Sequence, residues 1–173
     1  MDAWTLLRYA AGYLAGFCVF ILLIPFCLYS LSRILPVPLV PGPGIFPAGL
    51  AVVPVAVGLV FVLWSNIGLF VQGGGGPADF LGISISPRTR HLVTTGAYRY
   101  TRNPMVFGAL MLYLGIGISF DSLSAVCAVI LMLPAAVVYL RKTEEERLRA
   151  DFGQEYEDYQ RRVPMIIPWF PRQ

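Results

Sequence analysis

The chain has 173 residues, of which 57% are hydrophobic and 13% charged, with a formal net charge of +3. A soluble domain carries about 25% charged residues, so this composition argues against a water-soluble globule and for a chain set in a membrane. The three cysteines lie in apolar segments and the single histidine lacks metal-ligand spacing, which argues against a disulfide framework and a metal site.

No charged residue occurs between Arg33 and Asp79, between Arg102 and Asp121, or between Asp121 and Arg141. These gaps are long enough to hold helices that cross a hydrocarbon core of ~30 Å. The first segment is expected from Tyr9 to Leu31, with a kink at Pro25. Its apolar run is long and lacks a convincing cleavage site, so it reads as a retained transmembrane helix rather than a signal peptide. "RILPVPLVPGPG" (Arg33 to Gly44) follows as a stiff, extended connection. The second segment is expected from Ile45 to Val71, bent at Pro54.

A long polar stretch, Gln72 to Arg102, begins with four consecutive glycines. They read either as a flexible linker or as backbone passing close to something bulky. The third segment runs from Asn103 to Phe120 and the fourth from Ser122 to Leu140, with Pro134 as a kink. So short a link predicts a tight antiparallel hairpin. Beyond Arg141, Leu148, Phe152, Tyr156, Tyr159 and Val163 recur at spacings of 4, 4, 3 and 4. That is one face of an amphipathic helix. Gly153 costs it about 1 kcal/mol relative to Ala, and a break is expected there. The expectation is an all-α, polytopic membrane protein with about four transmembrane helices and a C-terminal amphipathic helix. It forms a single integral membrane domain: residues 1–71 supply two N-terminal spans and 72–173 the functional core.

Basic residues cluster at Arg88, Arg90, Arg99 and Arg102, and again from Arg141 onward. The positive-inside rule then places both termini and the long polar connection in the cytoplasm. The two polar regions share one membrane face. Nucleic acid is excluded as a partner because the basic groups lie beside spans. No phosphate-binding glycine loop or serine-hydrolase elbow occurs.

Asn103-Pro104 has a plain reading as a helix cap. Arg99 and Arg102 flank that helix start, a place that attracts anions, although arginines snorkelling to lipid phosphate give the same pattern. Tyr98 and Tyr100 suit either the interfacial belt or a cationic ligand. His91 reads as a surface histidine or a proton acceptor. "TEEE" (Thr143 to Glu146) fits a capping box, and its carboxylates need partners at that depth, for which Arg99, Arg102 and Arg141 are placed.

Together these pieces resemble the isoprenylcysteine carboxyl methyltransferase and phospholipid methyltransferase superfamily of integral membrane enzymes. The resemblance rests on "LVTTGAYRYTRNPM" (Leu92 to Met105), the apolar hairpin, and "EEERLRADFGQEYEDYQRRVP" (Glu144 to Pro164), and it covers about Pro87 to Pro168. It implies S-adenosyl-L-methionine bound at the cytosolic membrane surface by Arg90, His91, Leu92, Val93, Tyr98, Arg102, Asn103, Pro104, Met105, Val106, Glu144 and Glu145. It assigns catalytic roles to Arg141, near a family arginine, and to His91 if the acceptor must lose a proton. The acceptor it implies is lipid-like or dissolved in the membrane. Two departures stand out: Asn103 where the carboxyl methyltransferases carry His, and Val106 where the family usually has Tyr. Two alternatives stay open, an NADPH-dependent membrane reductase of the sterol reductase architecture and a non-catalytic membrane protein.

Overall fold

The computed structural model describes residues 7, 10–11, 14–40, 46–74, 79–80, 83–84 and 89–170. Five helices organise them. Helix α1 spans Leu14–Ile34 and opens into wide turns over Cys18–Leu23, directly before Pro25. A proline ring clashes with the carbonyl four residues back; here that carbonyl belongs to Ile21, inside the widened turns, which relieve the clash. Helix α2 spans Phe46–Gly68, runs through Pro54, and continues as wide turns over Leu69–Gly73. Helices α3 (Pro104–Ser119), α4 (Leu123–Lys142) and α5 (Glu144–Arg162) follow. Among the described residues the only strands are a two-residue antiparallel ladder, β1 (Asp79–Phe80) with β2 (Ile83–Ser84). The all-α reading therefore holds.

Among the described residues, Leu14–Ile34, Gly49–Gly73 and Leu123–Lys142 are long and apolar enough to cross a membrane, and Pro104–Ser119 is a shorter apolar helix. Their outward faces carry exposed Val52, Val60, Leu63, Ile67, Ile130 and Leu131. The cysteines Cys18, Cys27 and Cys127 are exposed on the same faces. Such side chains are stable only against lipid.

Helices α2 and α3 form the most intimate contact in the molecule, and glycine makes it possible. A Cβ on Gly108 would lie 2.8 Å from the Gly58 carbonyl oxygen and 2.9 Å from the Val62 nitrogen. One on Gly115 would lie 3.1 Å from the Ala51 carbonyl oxygen. Lipid gives no hydrophobic drive between spans, so close backbone packing of small residues supplies the attraction.

The α3–α4 hairpin turns over Phe120 to Ser122, and the Ser122 side chain accepts from the Ala125 amide at 3.2 Å. Asp121 sits at φ 48°, and its Oδ1 accepts from the amides of Leu39 and Val40, each at 3.1 Å. The proline-rich connection is thereby fastened over the hairpin tip.

At the other end, α4 passes into α5 through Thr143. The expected capping box does not form: Thr143 Oγ1 donates back to the Tyr139 carbonyl at 2.7 Å, and no side chain caps α5. With α4 ending directly at this residue, a carbonyl one turn back lies nearer to the hydroxyl than the amides ahead. The break expected in α5 is present, at Gly153 with φ 51° and ψ −125°. That conformation favours glycine.

Candidate functional site

The site is built where the end of α2, a short tight helix Gly96–Arg99, the start of α3 and helix α5 converge. Gly96 has φ 61°, and a Cβ there would press to 3.1 Å from Trp64 Nε1. Thr101 is fully buried, and its hydroxyl lies 2.8 Å from the Ile166 carbonyl oxygen and 3.1 Å from that of Met165. The Arg102 amide donates to Pro164, the Asn103 amide to Met165, and the Trp169 amide to Tyr100. Residues 164–169 thus run alongside residues 100–103 and satisfy backbone groups that a membrane would leave bare.

Asn103 occupies the cap position and Pro104 the first helical residue, as the dipeptide suggests. The side chain does not cap, however. Its Nδ2 donates to the Met165 carbonyl at 3.0 Å. The neighbouring Met165 carbonyl thus sets the orientation of the amide, and its Oδ1 makes no capping bond to α3.

Arg102 Nη1 meets Glu145 Oε1 at 2.5 Å, with side chains 9% and 5% exposed. Gln160 Nε2 donates to the other Glu145 oxygen at 2.9 Å, and Tyr156 OH lies 3.5 Å from Arg102 Nη1. Arg102 Nε is buried with no hydrogen-bond partner among the described residues. One residue away, Glu144 pairs with Arg147 at 2.6 Å. Burial, and then the Glu144 carboxylate, push the Tyr98 phenol well above its ordinary range. The Tyr159 hydroxyl donates to the Tyr98 carbonyl at 2.6 Å, and burial is the main reason its phenol is also raised.

The residues expected to form a site divide into two sets. Tyr98, Arg102, Glu144 and Glu145 come together. Leu92 packs on Tyr156, Tyr159 and Val163, Val93 is buried, and Pro104 is fully buried at the helix start. Met105 and Val106 are half-buried, and Val106 packs on the hairpin core. Arg90 is exposed and tied by its amide to the Gly73 carbonyl at 2.8 Å. His91 and Arg141 are exposed, and among the described residues no hydrogen bond or ion pair ties either to the Arg102–Glu145 pair. Of the glycine run, Gly73 is closely approached, a Cβ there lying 2.9 Å from the Thr89 methyl, whereas one on Gly74, at φ 62°, would meet nothing within 4 Å. Gly75, Gly76 and Arg88 lie outside the described residues. Sequence reasoning passed over Thr101 and Gln160. Both look like ordinary polar residues, and their partners lie 65 and 15 positions away.

The sequence profile of a family described as phospholipid methyltransferase matches residues 47–155, which takes in α2, the site loop, the hairpin and the first half of α5. The chain belongs to the phospholipid methyltransferase family. Within it, the chain is similar to the protein-S-isoprenylcysteine O-methyltransferase of Mus musculus, 35% identical over 83 residues, covering 47% of this chain and 29% of that protein. The Rattus norvegicus protein of the same name is 35% identical over 83 residues, with 47% and 28% covered. The Homo sapiens protein is 34% identical over the same length, with 47% and 28% covered. The match thus spans less than a third of each curated relative. No solved structure matches significantly.

Proposed function

We propose that this protein is a membrane methyltransferase that takes its methyl group from S-adenosyl-L-methionine and gives it to a lipid-like acceptor. The observation that carries the reading is the convergence of Tyr98, Arg102, Glu144 and Glu145 at one end of the bundle of a phospholipid methyltransferase family member. The group fits the residues present. The Glu144 carboxylate, whose charge is felt at the Tyr98 phenol, and the Tyr98 ring suit a cationic sulfonium or ammonium, and Arg102 Nε, without a partner among the described residues, is a buried donor suited to a carboxylate. Leu92, Val93 and Pro104 supply apolar walls that exclude water.

S-adenosyl-L-methionine, when bound, supplies a methyl carbon made electrophilic by its sulfonium. The chain's own work is then to bind, orient and keep dry. Glu145 holds Arg102 in place through the pair at Nη1. A carboxylate acceptor needs no base. An amine acceptor needs one, and exposed His91 is the group suited to take that proton. Arg141, in the last turn of α4, is placed to attract an anionic acceptor head. The lipophilic part of the acceptor would stay among the membrane lipids. The basic residues around the site support a cytoplasmic position for it and for both termini.

The test is binding to purified protein in lipid nanodiscs. S-adenosyl-L-methionine or its demethylated product is expected to bind at micromolar strength, and NADPH is not. NADPH binding without the methyl donor would replace this reading with the reductase one. Labelled donor incubated with a membrane lipid extract then identifies the acceptor by the species that gains label.

A further inference from the structure

Helix α5 divides at Gly153, and its two halves meet different surroundings. Beyond the break, the outward groups bond among themselves: Gln154 Nε2 donates to Asp158 at 3.1 Å, and Arg161 pairs with the same carboxylate. The inward groups do otherwise. Tyr156 lies beside Arg102, Tyr159 donates to the Tyr98 carbonyl, and Gln160 donates to Glu145. Three inward polar groups of this half-helix thus reach residues of the donor site proposed above, and Gln160 also accepts from Arg149 at 3.1 Å through its Oε1. Leu92, Leu148 and Phe152 pack the apolar cluster around Tyr156, Tyr159 and Val163, and the buried Tyr159 hydroxyl, which needs a partner, finds it on the Tyr98 carbonyl.

We infer that the half of α5 beyond Gly153 is a positioning element for the donor site, with the Tyr159 hydroxyl as its principal contact. The hydroxyl is buried and fixes the carbonyl of Tyr98, and so the backbone that carries the Tyr98 ring, which lies against Gly68 of α2 and whose phenol feels the Glu144 charge. Gln160 and Tyr156 fix the Glu145–Arg102 pair from the same half-helix. Tyr98 and Arg102 lie on one short stretch of chain, so both sides of the donor site take their placement from one element. Gly153 is what lets that element turn inward. Its φ of 51° admits glycine readily, and a Cβ there would meet nothing within 4 Å, so a substitution acts through the backbone alone.

This inference rests on the methyltransferase reading, and the experiment separates the two. The affinity of the demethylated donor product is measured by calorimetry in nanodiscs for wild type, Tyr159→Phe, Gly153→Ala and Phe152→Leu, with unfolding midpoints recorded in parallel. Loss of one net hydrogen bond corresponds to about five- to tenfold in affinity. Tyr159→Phe is expected to weaken binding and raise KM for the donor by about that factor, with kcat little changed. Gly153→Ala is expected to move the same way. Phe152→Leu, which touches the same apolar cluster, is expected to lower the midpoint and leave affinity alone. Wild-type affinity in Tyr159→Phe overturns the inference, as does an affinity loss in all three variants that merely tracks their midpoints. Absence of binding in wild type overturns the methyltransferase reading itself.

Discussion

The Arg102 guanidinium and the Glu145 carboxylate join the start of α3 to the first turn of α5, 2.5 Å apart and nearly sealed from solvent. A buried pair of this kind is weak evidence of net stabilisation, because desolvation opposes the attraction. Breaking one half is a different matter. Glu145→Leu leaves Arg102 charged and short of a partner, and a loss of about 3–5 kcal/mol is expected. The double variant Arg102→Met with Glu145→Leu is expected to recover much of it. Thermal unfolding of all three in detergent checks this; a Glu145→Leu midpoint within the range of surface variants would refute it.

The glycines between α2 and α3 make a second prediction. Gly108→Ala places a Cβ within 3 Å of backbone on the facing helix, and backbone has little freedom to move aside. Overpacking of this kind costs about 1–3 kcal/mol. Gly49→Ala, where a Cβ meets nothing within 4 Å, is the matched control. The yield of monodisperse protein and its unfolding midpoint should fall for the first and hold for the second.

Thr101 offers a test of the segment that lies along the site loop. Thr101→Val keeps the shape and removes the hydroxyl shared between Met165 and Ile166. A loss of about 1–3 kcal/mol is expected, together with faster proteolysis between Val163 and Trp169. Thr101→Ser should behave as wild type. Equal cleavage rates in all three would show that the hydroxyl does not hold the segment.

Three buried phenols give the protein an alkaline limit. Tyr98, Tyr156 and Tyr159 are all raised above the ordinary value of about 10, chiefly by burial. A phenol with a raised folded value holds its proton in the native state after the unfolded chain has released it. Its contribution is therefore fully present below pH about 10 and is lost as pH rises beyond. Stability should be flat toward that value on this account and fall above it. Tyrosinate absorbance from these rings should appear only with unfolding. A smooth titration of all nine tyrosines in the folded protein would contradict it.

Much of this architecture was legible in the sequence because membrane chemistry leaves few choices. Charge-free runs locate the spans, and the link between Phe120 and Ser122 forces the hairpin. The period of Leu148, Phe152, Tyr156, Tyr159 and Val163 marks the buried face of α5, and Gly153 marks its break. What stayed hidden has a common cause. The Asn103 side chain looks like a cap and is bound to Met165 instead; Thr143 looks like a cap and bonds backward. For Asn103 the carbonyl comes from a segment 62 residues away, of which local sequence carries no record; for Thr143 it is the Tyr139 carbonyl one turn back, a local competitor that the capping pattern does not weigh. Of the candidate site, Arg102, Glu144, Glu145 and Tyr98 came together, while His91 and Arg141 are exposed.

The alignment of residues 164–169 with residues 100–103 also has a consequence in time. Met165 is added 64 residues after Thr101, which at 5–20 residues per second is roughly 3–13 s of synthesis. During that interval the α3–α4 hairpin can enter the bilayer while the loop at its mouth still lacks its bonding partners. The order of synthesis thus leaves time for the membrane scaffold to settle before the segment beyond α5 supplies the carbonyls that Thr101 meets.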